Sequence, residues 1–171
     1  MKVKLVIDDL EFPVGYELLE TIADRIGDYE SLAELYQKLA NSTNPAVRKA
    51  IAYYDKIPED VVELLAKDNE PEVVERVLSN NIARVSEDTI RNIIENSPTT
   101  DILKAIVNRF DNLEVEEPNE ILNLIIEKYG ENLEVLGEIA ESWEVPKFVL
   151  KKLAQHEDPD IVKKAKEALE R

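Results

Sequence analysis

Apolar residues return along this chain in paired bursts. From Pro58 the order is proline, two spacers, two apolar residues, two spacers, Leu65-Ala66, a polar turn holding Pro71, and a new apolar start at Val73. The same order recurs from Pro146 to Ile161, with looser copies before and between. Within each burst the apolar residues fall on one stripe of an amphipathic helix. First helices are predicted around Leu35–Ala40, Val61–Ala66, Thr89–Ile94, Ile121–Ile126 and Val149–Ala154, and second helices from Val47, Val73, Ile102, Val135 and Ile161. The offset from first to second helix is nearly constant through all five copies: Leu35 to Val47, Val61 to Val73, Thr89 to Ile102, Ile121 to Val135 and Val149 to Ile161. The spacing between successive first helices is almost as regular. Such a period marks stacked helical pairs, because a short pair cannot bury its own apolar stripe and must cover its neighbour.

The pattern divides the chain into repeats at 31–57, 58–85, 86–115, 116–145 and 146–171, with no linker or domain boundary between them. Asn44-Pro45, Glu70-Pro71 and Asp158-Pro159 place proline at helix starts, where its missing N–H costs nothing, and Pro58 and Pro146 are expected to do the same. Residues 16–27 carry Leu18, Leu19, Ile22, Ala23 and Ile26 at helical spacing and end at Gly27, as the second half of a truncated leading repeat. Residues 1–14 alternate instead, Val3, Leu5 and Ile7 before Asp8-Asp9 and Leu10-Glu11-Phe12 after, which predicts a small β-hairpin broken off by Pro13 and Gly15. The hairpin is expected to cap the leading helix. Its open edge is also a route to a weak homodimer.

The Pro58–Val73 pattern resembles the leucine-rich-repeat variant, a relative of HEAT and armadillo repeats. The likeness covers most of Ser31–Arg171, closely in two copies and loosely in the rest. It implies an all-α, right-handed α-solenoid of about five stacked pairs that binds a partner, with no shared catalytic residues. Some members of that family carry a cysteine-rich iron–sulfur segment. This chain has no cysteine, so that activity does not transfer.

Composition changes the picture mainly through charge. Hydrophobic residues are 44% and charged residues 34% of the 171, as in a folded soluble protein. The formal net charge is −16, which repels nucleic acid and anionic membranes and is compatible with a basic partner. Residues 116–145 alone hold nine acids against Lys128. No apolar run is long enough for a signal-peptide core or a membrane span, and a cytoplasmic setting fits the lack of cysteine.

Candidate chemistry is sparse. His156 stands alone in a turn among carboxylates, where a surface role outweighs a metal or catalytic one. The four glycines are too scattered for a phosphate loop, and the acidic run from Asp111 to Glu120 lacks the glycine and ligand alternation of a calcium loop. No catalytic, cofactor or metal residues are therefore assigned. Ser31, Ser42, Ser86 and Thr99 sit where helix capping explains them. Phe110 and Trp143 share the ninth place of their second helices and are expected in the core between repeats, with a binding hot spot as the lesser reading for Trp143; of Tyr53 and Tyr54, one must point outward.

The third and fourth places of the second helices are expected to be exposed: Lys49-Ala50, Glu75-Arg76, Lys104-Ala105, Gly137-Glu138 and Lys163-Lys164. They form either a plain solvated face or a partner surface. Glu134, Glu138 and Glu141 make one acidic stripe at spacings of four and three, suited to steering a basic partner. The partner-binding candidates are thus Lys49, Glu75, Arg76, Lys104, Glu134, Glu138, Glu141 and Lys163. The function this favours is a non-enzymatic protein–protein interaction module, an adaptor or inhibitor. The alternatives are an acidic mimic of nucleic acid and, less favoured with a single His and no Cys, an enzyme.

Overall fold

The structure is a computed structural model and describes residues 3–7, 10–27, 29–96, 98–115, 117–143 and 145–171. The chain opens with strands β1 (Val3–Ile7) and β2 (Leu10–Val14), paired antiparallel with Val3 opposite Val14, Leu5 opposite Phe12 and Ile7 opposite Leu10. Lys4 and Glu11 form an ion pair across them. The predicted turn at Asp8-Asp9 lies outside the described residues. Pro13 does not end the strand as expected; it pairs with Lys4 inside β2. In a two-stranded sheet every strand is an edge, and an edge tolerates proline's missing donor.

Helices follow without interruption by further strands among the described residues: α1 (Tyr16–Ala23), α2 (Ala33–Ala40), α3 (Pro45–Ile51), α4 (Glu59–Ala66), α5 (Pro71–Asn81), α6 (Glu87–Glu95), α7 (Thr100–Asn108), α8 (Pro118–Tyr129), α9 (Leu133–Glu141), α10 (Lys147–Leu153) and α11 (Pro159–Leu169). The protein is all-α apart from the N-terminal strand pair. The helices from α2 to α11 fall where the periodicity predicts them. Short 3₁₀ turns at Ile82–Arg84 and Phe110–Asn112 extend the second helices α5 and α7. The chain forms two compact units, Met1–Val85 and Ser86–Arg171, and the division falls between the stretches predicted as the second and third repeats.

Starts and stops have local causes. Proline occupies the first turn of α3, α5, α8 and α11. Asn44, Thr99, Asn132 and Asp158 accept backbone N–H bonds at the starts of α3, α7, α9 and α11. Pro58 and Pro146 stand one position earlier than the other prolines, as N-caps whose carbonyls take the first bonds of α4 and α10. Of the predicted hydroxyl caps, Thr99 accepts from Ile102 N–H, whereas Ser86 donates to Thr89 Oγ1 instead. Gly27, with φ of 81°, closes the loop after α1 in the left-handed region that suits glycine.

In unit 1 the second helices α1, α3 and α5 pack in succession beside the first helices α2 and α4. In unit 2, α7, α9 and α11 form the matching row, and α6 packs on α8. The first, second, fifth and sixth places of α5, α7 and α9 are all buried. Leu65, Ile125 and Leu153 are buried at equivalent places of their first helices, while Ile93 is half-buried and Ile94 takes the core position. Tyr36 and Thr89, the two polar exceptions to the first-helix pattern, are buried too. The Tyr36 hydroxyl donates to Gly27 O at 2.7 Å and accepts from Tyr29 N–H at 3.0 Å, so the ring fills the core and its oxygen holds the loop after α1.

One core element is invisible to helix periodicity. Ile57, Val85 and Val145 precede the caps of α4, α6 and α10, and all three are buried. Each is matched by another buried apolar residue inside the helix that follows, Val62, Ile90 and Leu150, at the spacing of a hydrophobic staple.

Within each unit, later side chains donate bonds to carbonyls at the ends of earlier helices or in the turns just after them. Tyr54 Oη bonds Ala23 O at 2.8 Å. Asn81 Nδ2 reaches Ala52 O and Tyr54 O, and Arg84 reaches Asp55 O at 2.7 Å and Ile57 O. Tyr129 Oη bonds Ile94 O at 2.6 Å with Lys128 on Glu95 O, and Arg171 bonds Glu141 O at 3.2 Å. The last carbonyls of a helix have no partner of their own, so the donors to Ala23, Ala52, Ile94, Glu95 and Glu141 complete them, while Arg84 fastens the turn after α3.

Candidate partner-binding surface

The second helices carry every residue singled out as a binding candidate, and the structure shows how those residues meet. Lys49 on α3 bonds Glu72 on α5. Lys104 on α7 bonds Glu134 on α9 at 3.0 Å. The two pairs are equivalent: each lysine holds the third place of its helix and each glutamate lies just before the first place of the next second helix. Lys164 on α11 reaches back to Glu141 on α9 at 2.7 Å. Its partner's hydrogen bond is the main reason the Lys164 ammonium is held above its ordinary range, and the Glu134 bond does the same for Lys104. Glu138, half-buried between them, adds its field to both lysines.

The acidic stripe Glu134–Glu138–Glu141 is therefore flanked on both sides by lysines from neighbouring helices. Counting charge repeat by repeat hides this, because Lys104 belongs to the repeat before the stripe and Lys164 to the repeat after it. The expected exposure of the third and fourth places also needs correction. Ala50, Ala105 and Gly137 are buried; Lys49, Glu75, Arg76, Lys104, Glu138 and Lys164 are half-buried; only Lys163 is fully exposed. Small residues at these places let the next second helix approach. A Cβ on Gly137 would stand 3.1 Å from Lys164 Nζ, where that side chain crosses α9.

In unit 1 the row of α1, α3 and α5 leaves a groove of about 480 Å³. Tyr53 stands in it 61% exposed, with Lys49 and Arg76 on one hand and Glu20, Asp24, Glu70 and Glu72 on the other. Tyr54 turns inward, against Tyr36 at 5.8 Å between ring centroids, so the adjacent tyrosines divide between core and surface. The Glu72 carboxyl is held below the usual carboxylate range by the Lys49 hydrogen bond and charge. In unit 2 a second groove of similar size lies between α9 and α11, lined by Leu133, Glu134, Lys163 and Lys164 among others.

Phe110 is buried as expected, but Trp143 is 79% exposed. Both stand at the ninth place. After α7 a 3₁₀ turn carries Phe110 on around the helix axis and inward. After α9 the chain becomes extended at Ser142, so helical counting no longer applies at Trp143, and Val145 fills the core instead. His156 is no loose surface ring. Its Nδ1 accepts from Asp158 N–H at 3.0 Å, which leaves Nε2–H to donate to Gly130 O at 3.2 Å and ties the turn before α11 to the end of α8. Among the described residues no group of three or more His, Asp or Glu side chains is placed to hold a metal ion, and no helix is long and apolar enough to cross a membrane.

These features define an all-α protein of packed helical pairs whose candidate site is a charged groove with an exposed aromatic residue. The chain belongs to the family described as an uncharacterised protein conserved in bacteria (DUF2336), which matches residues 37–123, from α2 into α8. No curated protein matches it by sequence. Among solved structures, the crystal structure of an engineered protein from the Northeast Structural Genomics Consortium is similar to it at 19% identity and a TM-score of 0.36, over 90% of this chain and 88% of that one.

Proposed function

We propose that this protein is a non-enzymatic protein-binding module, an adaptor or inhibitor, and that the groove along α1, α3 and α5 receives its partner. The observation that carries the reading is Tyr53, a large ring 61% exposed in a hollow with charged walls. Interfaces draw most of their energy from such aromatic anchors surrounded by polar rims. The resemblance to the leucine-rich-repeat variant supports the same reading, and so does the stacking of equivalent pairs. On this reading the pairs build a right-handed solenoid, the strand pair β1–β2 caps α1, and the protein works in the cytoplasm. The net charge of −16 favours a basic protein partner over nucleic acid or membrane.

Affinity capture with the wild type and with Tyr53→Ala, both checked for folding by circular dichroism, tests it. A partner held by the wild type and lost by the variant is expected. Equal retention by both overturns the groove as the site. A partner released at moderate salt from both proteins alike would point instead to an acidic mimic of nucleic acid, since rows of ion pairs are screened.

A further inference from the structure

Trp143 is the chain's one tryptophan, and it stands 79% exposed. The guanidinium of Arg171 lies over its ring, 4.8 Å from the centroid, and Nη1 of the same side chain donates to Glu141 O at 3.2 Å. Beside the ring opens a hollow of about 360 Å³ walled by Arg109, Asp111, Glu138 and Glu141. Three carboxylates face one cation there, and Glu141 also serves Lys164.

We propose that the Trp143 ring and the hollow beside it recognise an arginine side chain of a partner protein, and that Arg171, held over the ring, is an internal stand-in for it. The proposal rests on the binding-module reading only for the partner being a protein. It uses a different surface from the Tyr53 groove, so either site can fail alone. The chemistry selects arginine over lysine. A planar guanidinium stacks on an indole and still points its N–H fork at oxygens in the same plane, whereas an ammonium is a compact, strongly hydrated charge. An incoming arginine would take the ring face and the Glu141 carbonyl from Arg171, with the carboxylates of Asp111 and Glu138 nearby to receive its remaining donors. Arg171 itself is exposed and returns to water, so the stand-in competes only weakly.

Because Trp143 has no other tryptophan to mask it, its fluorescence reports the site directly. The probes are three capped glycine–serine peptides carrying arginine, lysine or citrulline, titrated at low salt into the wild type, Arg171→Ala and Lys166→Ala. The arginine peptide is expected to shift the emission and to bind more tightly than the lysine peptide, with citrulline inert. Removing the stand-in in Arg171→Ala should tighten arginine binding roughly three-fold, the strength of one exposed cation–π contact. Lys166→Ala makes the same change of net charge on exposed α11 and should tighten it less. Equal tightening in both variants, no tightening in Arg171→Ala, or equal binding of the arginine and lysine peptides overturns the proposal. Anisotropy of a labelled arginine peptide should also show most binding lost in Trp143→Leu. If that variant fails to fold, the comparison of Arg171→Ala with Lys166→Ala decides.

Discussion

Arg48 on α3 grips Asp68, in the turn between α4 and α5, through two parallel bonds: Nε to Oδ2 at 2.5 Å and Nη2 to Oδ1 at 2.8 Å. The two side chains are only 15% and 8% exposed, and Arg48 Nη1 donates as well to Ser42 O at 2.8 Å. One guanidinium thus ties the turn between α2 and α3 to the turn between α4 and α5. The Asp68 hydrogen bond is the main reason the Arg48 pKa is raised, ahead of the opposing effect of its burial. Truncating Arg48 to Ala leaves the Asp68 carboxylate enclosed without its partner, and should lower unfolding stability by about 2–4 kcal/mol. The double variant Arg48→Ala/Asp68→Ala should recover part of that loss. Urea denaturation of the three variants reads the coupling, and strict additivity would show that the pair contributes nothing.

Leu65 is fully buried on α4, in the heart of unit 1. Leu65→Ala should cost about 2–5 kcal/mol, the transfer of the side chain plus the cavity left behind. Leu64 beside it is 42% exposed, and Leu64→Ala should cost far less. Thermal melts of the two neighbours side by side check the helical register.

Gly27→Ala should destabilise for two separate reasons. Its φ of 81° disfavours any L side chain by about 1–2 kcal/mol, and an added Cβ would stand 2.5 Å from the Tyr29 ring. Moving Tyr29 disturbs the N–H that Tyr36 Oη accepts. Denaturant unfolding should show a lower midpoint with an unchanged slope.

Glu72 carries a pH dependence. Its carboxyl lies below the ordinary 4.5 because Lys49 favours the charged form. A depressed carboxyl contributes stability that is present above its unfolded value and is lost as pH falls through the lower folded value. Wild type and Glu72→Gln should therefore differ near neutrality and converge in acid. Denaturation series at pH 7 and pH 3 measure the difference, and an equal gap at both would refute the linkage.

The helices are readable from sequence because burial repeats at fixed places: the nearly constant offset from first to second helix locates α2 to α11 before any contact is known. Isolated residues are not. Ile57, Val85 and Val145 lie outside helices, so no period marks them, although their place before each N-cap is a usable signal. Counting through Ser142 as if α9 continued misplaces Trp143. The lysine–glutamate ladder joins successive second helices, Lys49 to Glu72 and Lys104 to Glu134, and so lies beyond any local pattern. Tyr53 and Tyr54 can be divided between core and surface in principle, but only packing decides which turns inward.

The bonds from later side chains to earlier helix ends give each unit a grammar of succession. Tyr54 completes α1, Asn81 completes the end of α3 and Arg84 the turn after it, Tyr129 completes α6, and Arg171 completes α9. A pair emerging from the ribosome must leave its terminal carbonyls to water until its successor arrives, so order matures from the front of each unit backwards. Shuffling modules, or excising one to shorten the protein, strands the oxygens of the module upstream unless the new neighbour brings a donor of the same reach. Interchangeable parts would need that donor written into a consensus; here each of these bonds within a unit has its own place and reach, which makes the helices heirlooms of a particular order rather than bricks.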